Sequence, residues 1–309
     1  MSRVAWMERV TVVVTVGLSA GLALWWMSTH PTLAWAAAFA WAWLPAVVMA
    51  LGSWTAAHVI ARRSPADTAS WKEWLVAWWR EWRSYLAVFM WRQPFRWRAD
   101  PDPMPPPDRP VVVLVHGYVC NRGLWLPWMK ALRDRGWTWR SVNLEPVFGS
   151  IDDMVAVFDP VMQQALATGQ PVVVVAHSMG GLVTRRWLAR QQRWPEGLKG
   201  CVTIGSPHHG TWVARWANSV AGRQMREDSE WLQALRSRER TEDATRFLCW
   251  RSLTDHVVFP PANAMLAGAD NRLLRSAGHV DLAFQPVVMS ESLAWMASAL
   301  SSPAERTRS

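Results

Sequence analysis

The sequence predicts a parallel α/β sheet domain that follows two apolar helices near the N-terminus. Three observations predict this organisation. Two long apolar runs lie within the first 51 residues, and short β-branched runs alternate with helical stretches from residue 110 onward. A serine in a small-residue turn directly follows one of those β-branched runs. Strands that alternate with helices form parallel sheets with right-handed crossovers.

The two apolar runs are Val10–Met27 and Leu33–Leu51, about 18 and 19 residues long. Each is long enough to cross a hydrocarbon core of about 30 Å. Only residues 28–32 separate them, so we expect a transmembrane hairpin over residues 1–65, with helices at about 10–27 and 33–51. A signal peptide followed by one anchor and a pair of helices in a soluble core are the alternatives.

Basic residues predict the orientation of this hairpin. Arg3 and Arg9 flank the first run, Arg62 and Arg63 follow the second, and the short connection has no lysine or arginine. Because lysine and arginine favour the cytoplasmic side, both ends and the domain that follows are expected in the cytoplasm. Three cysteines without a C-x-x-C pair suit a reducing compartment.

Residues 66–109 form a distinct segment, rich in tryptophan and arginine and then in proline. Trp71, Trp74, Trp78 and Trp82 recur at helical spacing between charged residues, which predicts an amphipathic helix. Its position after the hairpin favours a place in the lipid headgroup layer. Packing on the following domain is the alternative. The net charge of +9 suits an anionic membrane surface, and the absence of a recognised binding motif argues against nucleic acid.

The remaining chain predicts one domain over residues 110–302, with a disordered tail at 303–309. The segments that predict strands lie near Val111, Trp139, Val172, Val202, Phe247 and Leu273. No strand is assigned before Val111, and earlier strands are either absent or hidden among the tryptophans of Phe89–Trp97. A helical insertion at about 211–245 is interpreted as a lid, with a plain surface decoration as the alternative.

The serine is Ser178, which follows the strand-like run Val172–Val175 in the string Ala-His-Ser-Met-Gly. A sharp strand-to-helix turn exposes the hydroxyl of its serine and requires small residues two positions before and after, here Ala176 and Gly180. A serine hydroxyl needs an imidazole base, and the imidazole needs a carboxylate.

The partners of this serine are predicted from chain order and strand ends. Asp255 follows the strand-like segment that starts at Phe247, and His279 follows the one near Leu273. Asp270 is a reserve acid without a clear strand before it. Asp281 follows the histidine in the chain and therefore fits the expected order of serine, acid and histidine badly.

Four segments resemble bacterial lipases and carboxylesterases of the α/β-hydrolase superfamily over roughly residues 110–300. They are Val115–Tyr118, Ala176–Leu182, Gly205–Thr211 and Gly278–His279. The resemblance implies the α/β-hydrolase fold (a mostly parallel sheet with helices on both faces and a helical lid), with Ser178 as nucleophile and Asp255 and His279 as its partners. It also implies that the backbone amides of Tyr118 and Met179 form the oxyanion hole.

The functional expectation is a serine hydrolase anchored in a bacterial inner membrane that cleaves lipid-like or acyl esters. This chemistry needs no cofactor, and His208-His209 lacks nearby acidic or cysteine ligands for a metal. A thioesterase or amidase with the same triad is one alternative. A non-catalytic membrane adaptor that keeps the fold is another.

Overall fold

One sheet of six parallel strands forms the centre of the α/β part of the chain. The computed structural model describes the backbone of residues 2–29, 31–103 and 109–301, and the side chains outside 26, 28–29 and 31–42. The strands are β1 (Val111–Val115), β2 (Thr138–Ser141), β3 (Val172–His177), β4 (Leu198–Ile204), β5 (Phe247–Ser252) and β6 (Asp270–Leu274). They lie in the order β2-β1-β3-β4-β5-β6, which confirms all six predicted strands.

Helices precede the sheet and connect its strands. They are α1 (Arg3–Thr29), α2 (Pro31–Arg63), α3 (Trp71–Ala87), α4 (Leu126–Asp134), α5 (Ile151–Leu166), α6 (Met179–Leu188), α7 (Val220–Gln224), α8 (Glu230–Arg236) and α9 (Pro286–Leu300). Every residue of β1 and β3 is buried, as expected for strands with helices on both faces. Alternate side chains point to opposite faces: Val174 packs in the core under α5 and α6, and Val175 in the core under α4 and α9.

Two helical stretches are long and apolar enough to cross a membrane, judged by length and composition. They are Arg3–Trp25 and Trp43–Arg63, with mean hydropathies of 1.5 and 1.6. Within the first stretch, Val4, Ala5 and Ala23 are buried. In the apolar 18-residue window of each stretch, none of the first window is buried within the protein, against 28% of the second. Core helices and signal sequences share these properties, so membrane crossing stays a prediction.

The C-terminal half of α2 lies against the sheet domain. Ala56 and Ile60 are fully buried against Phe259 from the loop after β5. Near the end of the helix, Arg63 forms an ion pair with Glu227 at 2.8 Å. The second apolar helix is therefore partly a structural element of the domain.

Helix α3 also packs on the sheet domain. It begins with a capping box in which Ser70 and Glu73 exchange side-chain-to-backbone hydrogen bonds, an arrangement that satisfies free N–H groups of the first turn. Its Glu81 is buried against Val280 and Asp281 in the loop after β6, whereas its Trp82 packs on Ala46 and Met49 of α2. The face that carries Glu81 therefore packs on the sheet domain. Trp71 remains 71% exposed on another face, and its contact with lipid stays a prediction.

Several other expectations have an outcome here. Within the described residues no strand precedes Val111: Val88–Arg96 is a π-helix, so no strands are hidden among its aromatic side chains. The insertion at 211–245 is helical, with α7, α8 and the 3₁₀ turns Trp212–Trp216 and Thr241–Arg246. Its role as a lid stays a prediction. Residues 104–108 of the proline-rich linker and the tail 303–309 lie outside the described residues.

Candidate active site

The candidate site lies at the carboxyl edge of the sheet, where the strand order changes direction. From β1 the chain moves outward to β2 and then returns across β1 to β3. Such a switch leaves a crevice beyond the carboxyl ends of the two central strands, which is where open α/β sheets bind ligands. Ser178 follows β3 directly and the His116–Tyr118 loop follows β1.

Ser178 occupies a strained turn between β3 and α6. Its φ of 54° and ψ of −130° lie in a region that residues with a Cβ rarely adopt, at a cost of about 1 to 3 kcal/mol. A Cβ at Gly180 would lie 2.5 Å from the backbone oxygen of Val115. Only glycine allows this approach, so the small residue predicted two positions after the serine is required by packing.

A hydrogen-bonded chain joins the three residues predicted as a triad. Nε2 of His279 lies 2.9 Å from Oγ of Ser178. Its Nδ1 lies 2.8 Å from Oδ2 of Asp255. All three side chains are buried, although Ser178 and Asp255 are 77 positions apart in the sequence. The structure therefore brings together the serine, acid and histidine selected from the sequence.

Asp255 is held by the loop that follows β5. Its Oδ1 accepts hydrogen bonds from the backbone N–H groups of Val257 and Val258, both at 2.8 Å. Burial acts to raise the pKa of Asp255, but the His279 imidazole and the Val258 N–H outweigh it and hold the pKa below its usual value. The acid is thus an ionised acceptor that keeps a proton on Nδ1 of His279.

The pKa of His279 is shifted upwards, opposite to that of Asp255. Burial acts to lower the pKa of His279, but the carboxylates of Asp255 and Glu81 outweigh it and raise the pKa. Nε2 of His177 donates a hydrogen bond to the His279 carbonyl oxygen at 3.0 Å. A base with a raised pKa accepts a proton from a hydroxyl more readily.

The loop after β1 lies directly over the nucleophile. A Cβ at Gly117 would be 2.8 Å from Cβ of Ser178, so this loop and the elbow are in contact. His116 braces the loop because its Nε2 accepts the Leu144 N–H at 3.0 Å while its Nδ1 donates to the Gly117 carbonyl oxygen.

The two amides predicted as oxyanion donors belong to this pair of elements. Among the described residues, the backbone N–H groups of Tyr118 and Met179 have no protein acceptor. Met179 is the first residue of α6, and free N–H groups at a helix N-terminus favour negative charge. Both amides are thus available to an oxyanion, and their role stays a prediction.

Two other residues considered in the sequence, His208 and Asp270, have bonding partners away from the triad. Nε2 of the buried His208 lies 2.9 Å from Oγ1 of Thr203. The carbonyl oxygen of His208 accepts a hydrogen bond from Arg185, so this histidine braces the core. Asp270 is exposed at the start of β6 and pairs with Arg272 at 2.7 Å. The reserve acid therefore does not reach His279.

Exposed apolar side chains surround the elements next to the nucleophile. The ring of Phe148, 52% exposed, packs edge-on against Tyr118. The Tyr118 hydroxyl donates to Ser219 of the helical insertion, next to the exposed Val220. Trp216, 62% exposed, precedes Ser219 by three positions in the same insertion. We call Phe148, Trp216 and Val220 the apolar rim.

Comparisons with known proteins agree with this geometry. Residues 147–260 match the sequence profile of the family described as PGAP1-like alpha/beta domain. The solved lipase BlEst2 of Bacillus licheniformis in its mature form is 17% identical, with a TM-score of 0.53 over 65% of this chain and 96% of that one. The chain has the α/β-hydrolase fold.

A second solved structure supports the same conclusion. Lipase B of Aspergillus fumigatus is 19% identical, with a TM-score of 0.50 over 60% of this chain and 52% of that one. No curated protein sequence is significantly similar to this chain. At these identities the likeness to the two lipase structures establishes the fold alone.

Two elements of the site were missed in the sequence. Glu81 of α3 contacts the loop that carries His279, and α2 contacts the loop that carries Asp255, where a Cβ at Gly52 would lie 3.5 Å from His256. In the sequence, Glu81 is one of several charges between tryptophans. Its only signal is its place on the same helical face as Trp74, Ala77 and Trp78, which is too weak to assign a role.

Proposed function

We propose that this protein is a serine hydrolase that cleaves carboxylic esters through an acyl-enzyme. The observation that carries the proposal is the hydrogen-bonded chain from Asp255 through His279 to Ser178, with both contacts of His279 below 3 Å. Its supports are the strained elbow, the ionised acid and the α/β-hydrolase fold. A buried Ser-His-Asp chain at the carboxyl edge of such a sheet has the geometry of nucleophilic catalysis.

The reaction follows from these positions. Nε2 of His279 takes the proton of Ser178 Oγ as the hydroxyl attacks the ester carbonyl, and the Tyr118 and Met179 amides stabilise the oxyanion. His279 then donates that proton to the leaving alkoxide, which departs as the alcohol. A water molecule, deprotonated by His279, attacks the acyl-enzyme, and His279 returns that proton to Ser178 Oγ as the bond to the acyl group breaks and the acid is released. No cofactor enters these steps.

The substrate class we propose is lipid-like or long-acyl esters. The support is the apolar rim, because an acyl chain leaving a bilayer or micelle gains from contact with exposed aromatic and aliphatic side chains. The insertion 211–245 carries Trp216 and Val220, so it contributes to the proposed substrate surface as a lid.

We further propose that residues 1–65 anchor the protein in a membrane with the hydrolase domain, residues 110–302, on the cytoplasmic side. The support is the pair of apolar stretches Arg3–Trp25 and Trp43–Arg63, together with the arginines at their outer ends. Helix α2 also touches the Asp255 loop, so an anchored α2 would hold the site next to the lipid surface. Separation of membranes from soluble protein by alkaline extraction tests the anchoring: an integral protein stays in the pellet.

The function is tested by hydrolysis of p-nitrophenyl esters of rising acyl length with detergent-purified wild type and Ser178→Ala. The proposal expects a loss of at least about 10³ in kcat for the variant, and a preference for long acyl chains over acetate. Equal rates for the two proteins would refute the serine mechanism. Preference for the acetate ester would refute the substrate class alone, and matched thioester and anilide substrates separate esterase from thioesterase or amidase.

A further inference from the structure

The loop that carries His279 is bound by a carboxylate from outside the sheet domain. Oε1 of Glu81 accepts the backbone N–H of Val280 at 3.0 Å, and Oε2 accepts the N–H of Asp281 at 2.7 Å. Glu81 is only 3% exposed and belongs to α3. These two N–H groups are the first that follow the predicted catalytic histidine.

The contact is close on every side. A Cβ at Gly278 would lie 2.5 Å from both Cβ and Oε2 of Glu81, so glycine lets the loop rest directly on the carboxylate. Nε2 of His177 also donates to the His279 carbonyl oxygen at 3.0 Å. The backbone around His279 is therefore held by two elements, the end of β3 and α3.

Glu81 is a buried carboxylate at a position where an apolar side chain would also pack. Within the part of the chain that the structure describes, Glu81 has no ion pair with lysine or arginine. Burial raises the pKa of Glu81 to about 7, against the opposing effect of its two N–H bonds. A buried acid without a cationic partner is costly and clusters at functional sites. An apolar residue would pack α3 without that cost, but it would leave both N–H groups unsatisfied.

We propose that Glu81 is a positioning residue for the triad, which holds the His279 loop so that the imidazole stays in line with Ser178 and Asp255. This inference rests on the proposed serine hydrolase function. Glu81 touches no reacting atom and acts through the backbone of residues 280 and 281.

The same helix is bound to the second apolar helix. Nε1 of Trp78 donates to the Ala46 carbonyl oxygen at 3.1 Å, and the rings of Trp43 and Trp82 stack at 5.8 Å. Glu81 thus completes a continuous contact from α2 through α3 to the histidine of the triad. The position of His279 depends on the docking of α3, a segment outside the sheet domain.

The test compares Glu81→Gln with the matched control Glu73→Gln in the full chain. Glutamine keeps the size of the side chain, but its carbonyl oxygen accepts one N–H while its NH₂ group faces the other N–H. Glu73 lies on the same helix and pairs with Arg275 of the same loop at 2.7 Å, without contact to the N–H groups after His279. We expect kcat to fall about 10- to 100-fold for Glu81→Gln with little change in KM, and Glu73→Gln to keep wild-type kcat.

A pH profile separates positioning from loss of structure. His279 must be neutral to act as base, and the negative charge of Glu81 raises the pKa of His279. The acid limb of kcat/KM should therefore move to lower pH in Glu81→Gln, by an amount set by the ionised fraction of Glu81 at that pH, and stay in place in Glu73→Gln. The other ionisable groups that interact with His279 or Glu81 are Asp255, His177 and His256, and the carboxyl of Asp281 is bonded to Ser84 and Gln285. Both variants retain all of these groups.

The outcomes are distinct. Wild-type kcat and an unshifted acid limb in Glu81→Gln would overturn the positioning role. In that case, loss of activity in Ser178→Ala would still support the proposed function. Retained activity in Ser178→Ala would overturn the proposed function itself. If Glu81→Gln does not fold, Glu81→Asp keeps the charge and reaches one N–H, and wild-type kcat in that variant would likewise overturn the proposal.

Discussion

Replacement of Asp255 by asparagine tests the triad in a way that the local hydrogen bonds make specific. Two backbone N–H groups, from Val257 and Val258, donate to Oδ1, while Oδ2 faces Nδ1 of His279. An asparagine side chain must place its carbonyl oxygen toward the two fixed N–H donors. Its NH₂ group then faces Nδ1 and forces that nitrogen to accept.

The consequence is the wrong tautomer of His279. The proton moves to Nε2, which faces Ser178 Oγ and is then unable to take the serine proton. Loss of the correct tautomer and of the carboxylate charge reduces kcat by about 10⁴ in triad enzymes. In this protein we expect a loss of about 10³ to 10⁴, equivalent to about 4 to 5.5 kcal/mol of transition-state stabilisation.

The assay is kcat on a p-nitrophenyl ester, with Asp270→Asn as the matched control. Asp270 is the reserve acid, and it pairs with Arg272 on the surface, so its variant should retain wild-type kcat. The thermal midpoint of Asp255→Asn should stay close to wild type because both backbone N–H bonds are kept. A kcat for Asp255→Asn within about tenfold of wild type would refute the tautomer argument.

Three further predictions use independent parts of the site. Gly205 has a φ of +57°, and a Cβ there would lie 3.3 Å from both Oδ2 of Asp255 and Nδ1 of His279. Gly205→Ala should therefore lower kcat at least about tenfold. Gly169 has a φ of +68° but no atom within 4 Å of a Cβ, so Gly169→Ala should affect stability alone. Burial lowers the pKa of His116 to about 4 and of His177 to about 3. Each histidine contributes stability that is complete above pH 6.5 and is lost as the pH falls towards those values, by about 3 kcal/mol for His116 and about 5 kcal/mol for His177. The measurement is urea unfolding against pH. Trp216→Ser should reduce kcat/KM for long acyl esters and leave the acetate ester unchanged, and an equal loss on both would exclude Trp216 from acyl binding.

The strands and the nucleophile were readable from the sequence because their signals are local. β1 and β3 are valine-rich runs, which arise where helices cover both faces of a parallel strand. The elbow around Ser178 needs small residues at fixed offsets, and Gly180 supplies one. The sequence favours Asp255 over Asp270 because Asp255 follows a strand. The sheet topology explains why this criterion selects a residue near the nucleophile.

The role of α3 was not readable because amphipathic periodicity does not distinguish a lipid face from a protein face. The tryptophan spacing predicted the helix, and the structure shows one face on the domain and another exposed at Trp71. Contacts such as Glu81 with Val280 join residues 199 positions apart. No local pattern encodes such a contact, and it follows only from how α2 and α3 pack on the finished sheet.

The most direct test of the central claim is covalent labelling with a fluorophosphonate, which reacts with an activated serine and expels fluoride. The account predicts one adduct, located by peptide mass mapping on Ser178, with esterase activity lost in proportion to labelling and no adduct in Ser178→Ala. Labelling at another residue, or full esterase activity in protein whose Ser178 is completely modified, would contradict the account.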